Sequence, residues 1–207
     1  ILDWDDIYQT YPLFASYVSA MVLTEETSKL SNHTEEMESS QDDGSSLASI
    51  NKRVLEKYPK IKKIFLNKFK KIAKEEYEYD NDFIITTSWF TKTEKDQESK
   101  LHSHKNSFYS GVYYFGDYSE DSAPIQFETP LLPFSDFYIE PQKWNIKNSQ
   151  IWKINLQKNL LILFPSYLRH TITKSKDDVV RDSLAFNIVP IGEYGASDST
   201  YNTRWVR

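Results

Sequence analysis

After Asp82 the spacing of apolar residues changes from a period near 3.6 to a period of 2, and this switch restricts the second half of the chain to short strands. Segments 83–87, 111–115, 125–127, 151–156, 160–164, 170–173 and 183–189 read as strands. Turn signals such as Lys158-Asn159 and Asp177-Asp178, and several prolines, separate them. A run of short strands buries its apolar faces as a sandwich or a barrel. The 5 Trp, 14 Tyr and 12 Phe suit strand and core packing.

Before Asp82 the pattern is helical. Leu13, Tyr17, Ala20, Met21 and Thr24 fall on a helical spacing within residues 1–30. Residues 31–46 are polar and acidic and read as a mobile surface loop, with His33 in solvent. From Leu47 to Tyr79, Val54, Tyr58, Ile61, Phe65, Phe69 and Ile72 form one apolar stripe, which Pro59 is expected to divide between two helices. Lys60, Lys63, Lys70 and Lys74 occupy the opposite, solvated face. The expected architecture is therefore mostly β with flanking helices: one domain over 1–207, mainly helical over 1–80, a β core over 83–190 and a tail over 191–207.

Composition narrows the function classes. The net charge of −5 argues against a general nucleic-acid-binding surface. With no cysteine, neither a disulfide framework nor a Cys-based metal site can form. No apolar run has transmembrane length, so no membrane partner is expected, and a cytoplasmic, reducing compartment is the default. The sequence opens at Ile1 rather than Met, which leaves a preceding targeting segment open.

Of four histidines, three belong to one constellation: His102-Ser103-His104, with His170 far downstream. Residues i and i+2 of a strand share a face, so His102 and His104 can meet one metal ion while His170 arrives from a distant strand. Imidazole suits Fe, Zn, Cu and Ni alike. Arg181-Asp182-Ser183 follows, a cation placed to receive an acidic co-substrate, although Asp177 or Asp178 offers it a structural partner.

The motifs around these residues are Ser88-Trp89-Phe90, His102 to Ser107, Ser110 to Tyr114, Phe164 to His170 and Arg181 to Asn187. Together, in this order, they resemble a group of phage and bacterial 2-oxoglutarate/iron(II)-dependent oxygenases of prolyl-hydroxylase-like type. The resemblance covers residues 83–190 and only loosely what precedes them. It implies a double-stranded β-helix, or jelly roll, with N-terminal helices packed outside. It also implies Fe(II) and 2-oxoglutarate as cofactors, and hydroxylation of a substrate with release of succinate and CO2. By residue, it implies His102 and His170 as metal ligands, Arg181 and Ser183 as the clamp on the far carboxylate of 2-oxoglutarate, and Tyr114 as a further contact. Asn187 is expected on the same face as Arg181, lining the pocket.

One departure from the family pattern stands out. The usual triad is His-x-Asp or His-x-Glu plus a distal His, whereas this chain has His102-Ser103-His104. A three-His site of His102, His104 and His170 is the favoured reading. Asn106 as a weak ligand, or a carboxylate such as Glu98 or Glu128, is the alternative. A metal cupin also uses His-x-His, but Phe108 and Tyr109 stand where its Glu would be. A non-catalytic β module that has lost its acidic ligand is the third reading. Trp89 and Phe90 read equally as pocket wall or core. The prime substrate and the oligomeric state are not legible in the sequence.

Overall fold

The computed structural model describes residues 7–13, 16–24, 27–40, 45–130, 139–145, 148–176 and 178–203. Within them the strands are β1 (Ile7–Leu13), β2 (Ser16–Val22), β3 (Met37–Ser39), β4 (Leu47–Ser49), β5 (Asp82–Thr93), β6 (Ser99–His102) and β7 (Tyr109–Tyr114). They continue as β8 (Ile125–Glu128), β9 (Ile151–Ile154), β10 (Leu160–Pro165), β11 (His170–Ile172), β12 (Arg181–Tyr194) and β13 (Tyr201–Thr203). One α-helix, α1 (Pro59–Glu75), accompanies them.

Two antiparallel sheets face each other. The large one has nine strands in the order β1-β2-β10-β7-β12-β5-β4-β3, with β13 paired to β12. The small one has four, in the order β6-β11-β8-β9. The fold is a jelly roll, mostly β with a flanking helix, as expected.

Strands β7 and β10 are buried along their whole length because both faces of the large sheet are covered there. Val112, Tyr114, Ile162 and Phe164 face the small sheet and pack with Ile125, Phe127 and Ile172. Tyr113, Leu161 and Leu163 face the other way, onto α1. The apolar run of β10 is the sequence signature of this double coverage. On α1, Phe65 stacks on Phe186 at 5.2 Å and Phe69 meets Phe83 edge-on at 4.9 Å. Gly111 is a packing requirement: a Cβ there would lie 2.2 Å from the ring of Phe186.

All seven strands read from the period-2 pattern are present, but the N-terminal third differs from the helical expectation. Strands β1 and β2 pair antiparallel, and β2 also pairs with β10. The helical spacing over Leu13–Thr24 is incidental. Val18 and Ala20 go to one core, Met21 and Leu23 to the other, and long-range pairing overrides the local pattern.

The acidic stretch 31–46 is not a free loop. It contributes β3, and Ser45 and Ser46 are buried; residues 41–44 lie outside the described residues. His33 is not in solvent either: it is half-buried and stacked on Phe90 at 3.7 Å. The chain there is anchored by buried Leu30, whose carbonyl accepts the His33 N–H.

Pro59 stands between two helical segments as expected, though the first is only a short 3-10 helix over Val54–Lys57, and it begins α1. It occupies the first turn, where its missing N–H costs nothing. The residues before Val54 are drawn into β4 and a turn, where Asn51 Oδ1 accepts the Arg53 N–H at 2.9 Å. Of the Lys stripe, Lys70 pairs with Asp82. The expected C-terminal tail is partly structured, since β12 runs to Tyr194 and β13 folds back on it.

Candidate metal centre and co-substrate cavity

The jelly roll brings the three histidines together. His102 ends β6 and His170 begins β11, and the two are directly paired across these strands. His104 lies just beyond the end of β6, in irregular backbone held by its N–H to the Ser166 carbonyl at 2.9 Å. Ring centroids stand 4.3 Å apart for His102–His170, 5.1 Å for His104–His170 and 5.3 Å for His102–His104. One ligand nitrogen from each falls within 4.8 Å of the others.

The hydrogen bonds of these rings determine which nitrogen is free. His102 Nδ1 donates to the Lys100 carbonyl at 2.7 Å, and His170 Nδ1 to the Leu168 carbonyl at 3.1 Å. His104 Nδ1 donates to Asn187 Oδ1 at 2.8 Å. An oxygen acceptor at Nδ1 requires the proton there, so each neutral ring presents a lone pair at Nε2. Burial, reinforced by the neighbouring His102, pushes the His104 pKa down to about 4. Burial likewise holds His170 well below its ordinary value. These two rings are therefore neutral at physiological pH and need lose no proton to bind a metal.

A cavity of about 470 Å³ runs from the triad between the sheets. Along β12, Arg181, Ser183, Ala185 and Asn187 all line it, as period-2 alternation predicts. Arg181 is only 3 % exposed. One of its terminal nitrogens donates to the Tyr114 hydroxyl at 2.8 Å, and its guanidinium lies 4.9 Å from the centre of that ring. Its Nε has no hydrogen-bond partner, and among the described residues no carboxylate pairs with it. Asp178 pairs with Lys95 instead, and Asp177 lies outside the described residues. A buried cation with an unmet donor is a binding site for an anion. Burial raises the Tyr114 pKa, so this phenol remains a neutral hydroxyl beside the cation. Ser183 shares a hydroxyl contact of 2.6 Å with Thr91.

The alternatives to a three-His site do not reach the cluster. Neither Glu98 nor Glu128 belongs to it among the described residues. Asn106, at φ 55°, lines a separate groove on the far side of His104, with Tyr17, Tyr79, Phe108 and Tyr167. Sequence reasoning placed His102 and His104 on one strand, whereas β6 ends at His102 and His104 lies beyond it; it also missed the orientation of His104 by Asn187. It left Trp89 undecided. The indole lines the cavity and stacks on His104 at 5.5 Å, while Phe90, one residue on, points into the helix-side core.

Residues 87–187 match a family model described as "Putative 2OG-Fe(II) oxygenase". That segment, just under half of the chain, is similar to the 2OG-Fe(II) oxygenases. The cofactors of this family are Fe(II) and 2-oxoglutarate, and the three clustered imidazoles and the unmatched Nε of Arg181 suit them chemically. No curated protein matches the sequence.

Among solved structures, the chain resembles the non-heme alpha-ketoglutarate-dependent carbocyclase SnoK from nogalamycin biosynthesis. The TM-score is 0.57 and the identity 9 %, over 83 % of this chain and 78 % of that one. HygX from Streptomyces hygroscopicus, solved with nickel, 2-oxoglutarate and hygromycin B, gives 0.56 and 8 % over 84 % and 82 %. The epimerase SnoN from the same nogalamycin biosynthesis gives 0.55 and 9 % over 81 % and 72 %. Likeness at such identity concerns the fold.

Proposed function

We propose that the chain is a 2OG-Fe(II) oxygenase that hydroxylates its substrate at an Fe(II) ion held by His102, His104 and His170, with 2-oxoglutarate anchored by Arg181. The observation that carries this reading is the buried Arg181, without a carboxylate partner among the described residues and facing the same cavity as the three Nε2 atoms. Together, bound Fe(II) and 2-oxoglutarate supply O2-driven oxidation of a C–H bond, the co-substrate leaving as succinate and CO2.

The chain's own residues bind and orient. Arg181 and the Tyr114 hydroxyl take the far carboxylate, with Ser183 one strand position away on the same face. Val112, Ile125, Phe164 and Ile172 form an apolar wall that limits water in the cavity. Three neutral imidazoles leave the ion one positive charge richer than a carboxylate-containing triad would, which favours an anionic chelator. The cupin reading loses ground because Phe108 and Tyr109, at its expected Glu positions, line the other groove. The described residues contain no helix long and apolar enough to cross a membrane, and a cytoplasmic location is part of the proposal.

Anaerobic calorimetry on the Ni(II)-loaded protein tests it. Arg181→Ala should weaken 2-oxoglutarate binding by ~1.5–3 kcal/mol, the scale of a hydrogen bond to a charged group. That corresponds to roughly ten- to hundred-fold in affinity, with metal content unchanged. An unaltered affinity would return the site to the structural reading.

A further inference from the structure

Asn187 sits on the co-substrate strand β12, yet its amide is turned toward the metal centre. We infer that Asn187 is a positioning residue that fixes the tautomer of His104 and so makes it a metal ligand. This rests on the three-His reading above.

The amide is held at both ends. Its Nδ2 donates to Thr87 Oγ1 at 3.0 Å. Its Oδ1 accepts from His104 Nδ1 at 2.8 Å and from the Ser110 hydroxyl at 2.9 Å. Ser110 is itself in a buried hydroxyl chain, 2.8 Å from Ser166, which donates to Ser107 at 2.9 Å. With the amide in this orientation, the His104 proton must sit on Nδ1 and the Nε2 lone pair is free. With the amide reversed, an N–H would face Nδ1, the proton would move to Nε2, and the ring could no longer ligate. The orientation of one side-chain amide therefore decides whether the third ligand exists.

The other two histidines need no such device, because each donates Nδ1 to a main-chain carbonyl two residues before it. His104 lies past the end of β6 and has no carbonyl in that role. A β-bulge opposite Asn187 helps to supply the substitute. The β5–β12 register shifts between Asn187 and Ile188, so that Ile85 faces the helix-side core while Thr87 faces the cavity. Without this change of phase, residues two apart would share a face, and Thr87 would be turned away from the amide.

A metal-affinity cycle with Co(II) as probe tests the inference. Asn187→Ala should weaken Co(II) binding by roughly ten- to hundred-fold, the usual cost of losing the partner of a ligating histidine. It should also alter the Co(II) d–d spectrum while leaving the fold intact by circular dichroism. Asn187→Asp keeps an acceptor at the same position and should retain most of the affinity. In a His104→Ala background, Asn187→Ala should cost nothing further, because the residue acts only through that ring. An equal loss in both backgrounds, or Co(II) affinity unchanged by Asn187→Ala, would overturn the assignment. So would a loss confined to 2-oxoglutarate binding, which would make Asn187 a co-substrate contact. If His170→Ala also kept full Co(II) affinity, the metal centre itself would be wrong, a separate result.

Discussion

At the scale of single residues, His104 and His170 carry a cost in stability. Neutral, buried imidazoles serve a metal well but resist protonation. In the unfolded chain a histidine takes up a proton below about 6.5, whereas folded His104 does so only near pH 4. Between those values the unfolded state binds more protons, so stability falls as pH falls. His104 alone accounts for roughly 2–3 kcal/mol of this fall, and His170 shifts in the same direction. Urea unfolding of the metal-free protein should therefore show a lower midpoint at pH 4.5 than at pH 7, beyond what the carboxylates cause. His104→Asn should flatten the difference. An identical pH dependence in that variant would mean that the imidazole is not held neutral by the fold. These residues were legible early, because three of only four histidines fell at ligand-like positions. Which nitrogen each would free was not, since that depends on partners such as Asn187 and Leu168 that only the tertiary structure brings near.

At the scale of elements, legibility followed coverage. Strands β7, β10 and β12 carry apolar residues on one or both faces and announced themselves by period and composition. Strand β6 did not, because Ser99–His102 is short, partly exposed and interrupted by Lys100. The β1–β2 pair was mistaken for a helix because its inward residues serve two different cores, which blurs the alternation. The bulge in β5 left a trace in the sequence: Phe83 and Ile85 keep one phase and Ser88 and Phe90 the other. Gly111 offers a direct test of how tightly the helix-side layer is set. Phe186 cannot retreat from an added methyl, since Phe65 of α1 is stacked on its far face. Gly111→Ala should destabilise the fold by ~1–3 kcal/mol, the usual range for overpacking. Adding Phe186→Leu should recover part of that loss. A neutral Gly111→Ala would show that α1 packs loosely over β7 and β12.

At the scale of the whole molecule, the proposed metal centre would be a joint between the two sheets. His102 and His170 belong to the small sheet, paired across β6 and β11. His104 is bound through its ring to Asn187, on β12 of the large sheet. An ion gripping all three nitrogens therefore ties the sheets at the end of the cavity, in addition to the apolar contacts of Tyr114, Phe127 and Phe164. Binding confined to the folded state stabilises by mass action, about 2.7 kcal/mol when the free ion stands at a hundred times its Kd. For a domain of this length that corresponds to a rise in Tm of roughly 5–10 °C. Ni(II) should produce this rise in the wild-type protein and almost none in His170→Ala. Hydrogen exchange should locate the effect, with added protection concentrated in β6, β11 and the middle of β12, and little change in the β1–β2 pair at the far edge of the large sheet. A uniform gain in protection would point to general stabilisation by the ion, and an equal Tm shift in His170→Ala would place the ion elsewhere. The proposed ligands are far apart in sequence because β6 and β11, which carry His102 and His170, are neighbours in the small sheet only, and the tie to the large sheet runs through Asn187.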